Sequence, residues 1–436
     1  MKKQIIIFSL LNFIIGLTGI VIRPLIPIVS EDINVGLDMI GILLFSISLG
    51  FFISGISTGY LSDRYGTKLT MYFGLIVLIV SSLGFSLAYT FFILIISGLL
   101  MGIGRGGLMA AINSHMVNIY PEKREANLLK LGYFFCLGSA IGTIGVSIML
   151  FLKLNWRIAF IIFFFIYLLF TLYFLKKKVM KSKINLGEEQ IENFNKEKIK
   201  NFKNNSGNII LIQEEDNINL YKNKKSFKNV NKFQKHTHLR EYLNLFKNPI
   251  IIFSGILLIL FGGTVVAFST WYTTYFSSFG IKVEISSLGL SLYWLSITGG
   301  VKLKQFAIKK FKDYQIIFIG CLLNAIFMLI ITFSQNIIIK IIASILIGLF
   351  LGGFTALITS FAIGQKPELS GFISGYILGM LSLGNMIFQP IIGNISERFG
   401  RGTGIYVQLI GSVLLFITAF IITVFYKYKE PDTEIF

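Results

Sequence analysis

The stretch Gly59-Tyr60-Leu61-Ser62-Asp63-Arg64-Tyr65-Gly66-Thr67-Lys68 decides how this chain is read. It lies between two long apolar runs, residues 40–60 and 69–89, each long enough to cross a bilayer core of about 30 Å. A polar hairpin with two glycines and an Asp-Arg pair therefore joins two segments of membrane length. The glycines suit a sharp reversal and close backbone approach. Asp63, Arg64 and Lys68 are placed to pair with one another or with neighbouring helix ends at the lipid headgroup boundary.

The same pattern extends outward over almost the whole chain. Of 436 residues, 54% are hydrophobic and only 14% charged. A soluble domain carries about 25% charge, so lipid is the main solvent here. Windows of roughly 20 apolar residues predict twelve membrane-spanning helices. In the first half they are residues 4–29, 39–61, 69–89, 91–116, 128–152 and 158–175. In the second half they are 249–276, 285–301, 316–333, 337–362, 371–392 and 405–425, of which 285–301 is the weakest because Lys302 and Lys304 crowd its end. The opening Met1-Lys2-Lys3 and the apolar run after it mimic a signal peptide, but the run is too long and lacks a small-residue cleavage site, so it reads as a retained first span. Cys136 and Cys321 both fall in apolar runs, which leaves no disulfide framework, no metal cluster and no expected cofactor.

The formal charge of +19 would suit nucleic acid, but its distribution speaks for topology instead. With these spans, 32 of the 40 Lys and Arg fall on the side holding both termini, 17 of them between Lys176 and Lys247. Seven fall on the other side (Arg23, Lys153, Arg157, Lys282, Lys340, Arg398 and Arg401), and Arg105 lies within a span. That bias is the positive-inside rule, and it places both termini in the cytosol. The scheme is a six-helix bundle over residues 1–178, a basic linker over 179–248 with too little apolar periodicity to bury a core, and a second six-helix bundle over 249–436.

The two bundles are internal copies. Adding 246 to a residue number in the first half repeatedly reaches a like residue in the second: Gly16 and Thr18 meet Gly262 and Thr264, Gly102, Gly106 and Gly107 meet Gly348, Gly352 and Gly353, and Gly138 meets Gly384. One offset over several spans implies two bundles inserted the same way round, related by an axis along the membrane normal.

The stretch 59–68 resembles the loop signature of the major facilitator superfamily, Gly-x-Leu-x-Asp-Arg-x-Gly followed by basic residues, between the second and third spans. Gly59, Leu61, Asp63, Arg64, Gly66 and Lys68 match it, while Thr67 stands where the family usually has a basic residue. The resemblance implies the major facilitator fold, an all-α membrane protein of twelve helices in two pseudo-symmetric bundles. It also implies a central path lined by the first, fourth, seventh and tenth spans, and a latch in which Asp63 meets the positive start of the eleventh span. Residues 113–142, with Pro121, Arg124, Asn127-Leu128-Leu129 and Phe134-Phe135, and then Trp156-Arg157, look like the fucose-permease-like sugar branch. The antiporter branches typically carry Gly-Pro in the fifth span, where Thr143 follows Gly142 here.

Candidate substrate residues follow from polar groups at membrane depth. Arg105 sits mid-span with no Asp or Glu in any predicted span to pair with, so helix-end carbonyls, cavity water or an anionic substrate must offset it. Asn113 lies about 80° around the same helix, and His115, the histidine within a predicted span, is a candidate for proton coupling. Trp271 and Tyr272, with Thr270, Tyr275, Tyr293 and Trp294 nearby, offer rings for a flat ligand or form an interfacial belt. Thr355, Thr359, Asn385 and Gln389 add neutral hydrogen-bonding groups, and Pro390 marks a gate or a tolerated kink. The expectation is a monomeric secondary transporter of the cytoplasmic membrane, moving a small polar or anionic solute by alternating access with a proton or cation as partner. The alternatives are a drug/proton antiporter exporting hydrophobic compounds and a non-transporting sensor. No acid–base pair or metal-ligand cluster points to an enzyme.

Overall fold

A computed structural model describes residues 2–65, 67–119, 124–176, 245–366 and 369–429. The chain forms two compact units, Met1–Leu175 with Ile250–Phe436, and Lys176–Pro249. The second unit, which holds the whole of the predicted linker, falls almost wholly outside the described residues.

The first span is two helices, α1 (Lys2–Gly19) and α2 (Ile22–Asp32). Then come α3 (Leu37–Tyr65), α4 (Thr67–Ser86), α5 (Phe91–Ile119), α6 (Arg124–Phe151) and α7 (Arg157–Lys176). The second half opens with α8 (Pro249–Phe261), a π-helical turn at Gly262–Val266, and α9 (Ala267–Ser277), which together make the seventh span. It continues with α10 (Val283–Ala307), α11 (Asp313–Phe333), the broken tenth span α12 (Ile337–Leu351) and α13 (Phe354–Gln365), then α14 (Ser370–Phe399) and α15 (Ile405–Lys429). These are twelve spans in two six-helix bundles. Eleven pass a length and hydropathy criterion for crossing a membrane. The twelfth is α10, the weak eighth span of the sequence, diluted by Glu284, Lys302 and Lys304 yet 25 residues long.

The polar hairpin is shorter than its composition suggests. α3 continues through Tyr65 and α4 starts at Thr67, so residues 59–65 are helix, with Gly66 outside the described residues. Spans alternate between a terminal end, where α1 starts and α15 stops, and a loop end that carries residues 33–36, 87–90, 152–156, 278–282, 334–336 and 400–404.

Helix faces are sorted for lipid rather than water. On α4, Leu69, Phe73, Ile76, Val80, Leu83 and, just past its end, Leu87 are all exposed and recur every three or four residues. The opposite face buries Thr70, Ser81, Ser82 and Ser86. Such a helix turns its most apolar stripe outward, as a lipid solvent requires, and its hydroxyls find backbone carbonyls inside: Ser81 donates to Ser97 O at 2.8 Å.

The duplication reappears in the packing, contact by contact. A Cβ added to Gly16 would lie 2.0 Å from the Phe135 carbonyl oxygen, and one on Gly262 2.3 Å from that of Leu381. Gly138 faces the Phe13 oxygen at 2.1 Å, and Gly384 the Ile259 oxygen at 2.0 Å. Gly106 faces Phe51 O at 2.8 Å, and Gly352 faces Ile297 O at 2.3 Å. Every second-half residue in these pairs is its first-half counterpart plus 246. Each half is thus built on the same backbone-to-backbone helix crossings, which admit only glycine.

The halves meet along two antiparallel seams. In one, α3 packs on α14: Ser382 Oγ donates to Ser48 O at 2.6 Å, and Gly41 faces the Gln389 carbonyl and Pro390 Cα at 3.0 Å. α14 runs unbroken through Pro390, so the expected kink is tolerated. In the other, α6 packs on α10. Ser291 Oγ donates to Thr143 Oγ1 at 2.9 Å and Ser287 Oγ to Thr143 O at 3.4 Å, so the residue that replaces the antiporter proline is a hydrogen-bonding pin between halves. At the loop end α2 also packs on α9, while the terminal-end piece α1 packs within its own half, on α6 and α5.

Candidate functional site

Three spans break at the depth where polar residues gather. The first breaks at Ile20–Val21, between α1 and α2, and the seventh has its π turn at Gly262–Val266. Under the repeat, Ile20–Val21 is the counterpart of Val266–Ala267, so the break of the first span falls level with the end of the π turn in the seventh. Such irregularities expose backbone groups and concentrate at functional sites. The tenth span breaks at Gly352–Gly353, where Gly353 has φ +74°, a left-handed conformation that suits glycine. Its counterpart Gly107 stays inside helix α5.

Buried cations settle on the carbonyls these breaks release. Arg105 Nη1 donates to Gly19 O at 2.7 Å, the last residue of α1, so a mid-membrane guanidinium neutralises a helix C-terminus. Its Nε is buried with no hydrogen-bond partner. Gly19 is fitted to this group: an added Cβ would lie 2.2 Å from the Arg105 Cζ. Lys304 does the same work at the tenth span, donating from Nζ to Phe350 O at 3.0 Å beside the break. Of the offsets weighed for Arg105, helix-end carbonyls are the one observed. Replacing Arg105 by Met is therefore expected to strand the Gly19 carbonyl, costing about 1–3 kcal/mol, read as a lower detergent melting temperature. Gly19→Ala should lower it too, because the guanidinium is displaced. Unchanged melting in both variants would remove Arg105 from this role.

Arg23 corrects the sequence reading. Tallied there with the cations of the far side although the predicted span 4–29 contains it, Arg23 lies within the first span, Ile5–Asp32, on the first turn of α2. Its guanidinium hydrogen-bonds Ser269 Oγ across the seam and lies over the Trp294 ring, 5.7 Å from the centroid. Its own carbonyl accepts from Thr273 Oγ1 at 3.3 Å. Ser269 is the repeat counterpart of Arg23, and equivalent residues of two copies touch only where the pseudo-twofold axis passes between them. Arg23 therefore marks the axis. The signal available in sequence was the spacing itself, 246 residues from Arg23 to Ser269, together with a cation between two apolar stretches.

On the C-terminal half, several expected residues converge. Trp271 Nε1 donates to Gln389 Oε1 at 2.6 Å, and Gln389 Nε2 donates to Asn385 Oδ1 at 3.2 Å and Thr270 Oγ1 at 3.4 Å. The Trp294 ring meets Phe135 of the other half edge-on, and its Nε1 is buried without a partner. The wall is thus indole and amide, with an unclaimed donor beside a cation. Tyr272 stands apart: it is buried in its own half among Phe268, Phe276 and Tyr293, with its hydroxyl 3.3 Å from Ser344 Oγ. Thr355 and Thr359 share one turn of α13, with Thr359 Oγ1 donating to Thr355 O at 2.7 Å. Asn113 is half-buried toward the terminal end of α5, and His115 meets the Phe8 ring edge-on, centroids 5.1 Å apart.

Of the expected latch, Gly59, Asp63 and Arg64 lie in the last turns of α3, their side chains and Gly66 being outside the described residues. Lys68 begins α4 with its ammonium 5.7 Å from the Tyr72 ring centroid. Trp156-Arg157, noted for the sugar-branch resemblance, instead clamp the N-terminal half at its loop end. Arg157 pairs with Asp32 at 2.7 Å and donates to Ala88 O at 2.6 Å, while Trp156 Nε1 donates to Asp32 at 3.2 Å.

Comparison with known proteins agrees with this architecture. The hexuronate transporter of Bacillus subtilis (strain 168) is 30% identical over 151 residues, 34% of this chain and 36% of that protein. The quinolone resistance protein NorA of Staphylococcus aureus (strain Mu50) is 28% identical over 149 residues, 33% of this chain and 38% of that protein. The chain thus aligns with little more than a third of the length of either relative. Among solved structures, a D-xylose-proton symporter superposes with a TM-score of 0.73 at 14% identity, covering 95% of this chain and 96% of that one. The transporter FucP in its outward conformation gives 0.66 at 16% identity, covering 96% and 98%. The family profile described as Major Facilitator Superfamily matches residues 8–386, and with twelve spans in two duplicated bundles the chain belongs to that superfamily.

Proposed function

We propose that this protein is a secondary active transporter that carries a small anionic solute, a carboxylated sugar such as a hexuronate, across the cytoplasmic membrane by alternating access. The observation that carries the reading is Arg23 on the pseudo-twofold axis, bonded to neutral Ser269 and facing Trp294, with Arg105 one helix away. Rocking of the two bundles separates residues that face each other across the axis, so Arg23 would exchange Ser269 for a substrate carboxylate in the open state. The indole of Trp294 suits the face of a sugar ring, and Gln389, Asn385 and Trp271 suit its hydroxyls. The hexuronate transporter among the relatives supports an acidic sugar.

Both termini and the 179–248 linker are assigned to the cytosol from the excess of Lys and Arg on the terminal end. The packing of α2 on α9 then closes the external side. A co-transported proton is the favoured partner, and the structural neighbours are themselves named a D-xylose-proton symporter and a fucose:proton symporter. His115 is the residue assigned to it. Asp63 and its neighbours are assigned the cytosolic latch, and the protein is taken to act as a monomer.

The test is uptake by the purified protein in liposomes, with radiolabelled D-glucuronate, D-glucose, L-fucose and a cationic dye, with and without an inward proton gradient. Saturable glucuronate uptake, raised by the gradient and absent for dye, is expected. The NorA relative favours a second reading, drug export, and dye efflux without sugar uptake would establish that reading instead.

A further inference from the structure

Residues 393–400 repeat the stretch 59–66: Gly-Asn-Ile-Ser-Glu-Arg-Phe-Gly against Gly-Tyr-Leu-Ser-Asp-Arg-Tyr-Gly. The spacing of this copy is 334, not 246, so it does not belong to the relation between halves. It closes α14 at the loop end, whereas 59–66 closes α3 at the terminal end. The two helices are antiparallel partners across the main seam, so the end of each lies beside the start of the other.

At the loop end this juxtaposition is a contact. Glu397 Oε2 accepts a 2.7 Å hydrogen bond from the backbone N–H of Leu37, the first residue of α3. A carboxylate from the C-terminal half therefore caps a helix N-terminus of the N-terminal half. The approach is tight: a Cβ on Gly36 would lie 3.1 Å from the Glu397 carboxyl carbon, and one on Gly393 2.5 Å from Leu37 O. Thr403 Oγ1 anchors the turn after α14 by donating to Gly400 O and Ile395 O at 2.8 and 3.1 Å. A polar pocket of about 390 Å³ lined by Ser30, Asn34, Glu397 and Arg401 adjoins it, so the carboxylate is reached by water and salt. Following the seam in the same register, residue 63 falls just short of Ser370, where α14 begins.

We infer that residues 393–400 are a second latch, inverted relative to 59–66, in which Glu397 holds the loop end shut by capping α3 in the state seen here. The two latches then oppose each other: one carboxylate at each end of the α3–α14 seam, each favouring closure of its own end. This rests on the alternating-access reading above. Its test is chosen to fail separately.

With Cys136 and Cys321 replaced by Ala, a reporter cysteine is placed at Thr273, fully buried where α9 meets α2. The full chain in lipid nanodiscs is treated with a membrane-impermeant maleimide. Glu397→Gln should raise the labelling rate about two- to fivefold, the shift expected of a surface carboxylate at a helix N-terminus. Glu397→Asp should fall between, and the gain should shrink in 1 M salt, because screening weakens the parent latch. Should Glu397→Gln fail to fold, the aspartate variant carries the same comparison. Equal labelling in variant and parent, or a gain indifferent to salt, overturns the latch. Faster labelling in a protein that carries no solute leaves the latch standing and removes the transport reading.

Discussion

Replacing Arg23 by Gln is expected to weaken binding of a carboxylated sugar at least thirtyfold, about 2 kcal/mol or more, while the protein stays folded. Truncating one partner of a buried, charge-assisted contact costs about 2–5 kcal/mol. In the state seen here Arg23 loses only a bond to neutral Ser269 and a ring contact with Trp294, so stability should change little. Binding of D-glucuronate, measured with Trp fluorescence or uptake kinetics, should therefore fall far more than the melting temperature. Arg23→Lys should recover part of the affinity, since charge is kept while the planar fork is lost. Loss of melting temperature with unchanged affinity would make Arg23 a structural cation like Arg105.

The second large effect concerns the duplicated scaffold. Gly138→Val and Gly384→Val place a branched side chain where even a Cβ would lie 2.1 and 2.0 Å from a carbonyl oxygen of the neighbouring span. The backbones must separate, and overpacking of this kind costs about 1–3 kcal/mol or more. Both variants should lose the monodisperse peak in size-exclusion chromatography. Gly145→Ala, on the same helix as Gly138 but with nothing within 4 Å of its added Cβ, should behave as the parent. A tolerant Gly138 beside an intolerant Gly384 would contradict the equivalence of the halves.

That equivalence was legible in the sequence because glycines at helix crossings cannot be exchanged for anything larger, so one offset survives where other side chains have diverged. The spans were legible for a similar reason, since an apolar run of membrane length has few other uses. The breaks were not. Ile20–Val21 and Gly262–Val266 carry no proline, and the run of hydropathy passes over them. Arg105 drew attention as an isolated charge, yet its partner is a backbone carbonyl created by a break, which no side-chain pattern records. Arg23 was tallied with the cations of the far side although the predicted span 4–29 contains it, so its place within the membrane was passed over. The helix continues to Asp32 with Pro27 inside it. Trp271, Asn385 and Gln389 were found as polar groups at depth and do meet, whereas Tyr272 serves the packing of one bundle. The second latch is not part of the duplication pattern, since an inverted relation between antiparallel helices carries its own offset, 334 instead of 246.

The central claim is that the bundles rock as bodies against each other, tilting across the pseudo-twofold axis that passes Arg23. Its most direct test is a pair of spin-label distances on the full chain in nanodiscs. Leu154 and Phe279 report the loop end, and Lys130 and Lys366 report the terminal end; all four are exposed. On adding saturating D-glucuronate and changing pH, the two distance distributions should shift in opposite senses, one end widening as the other narrows. Distances that stay fixed at both ends, or that widen and narrow together, would contradict the account.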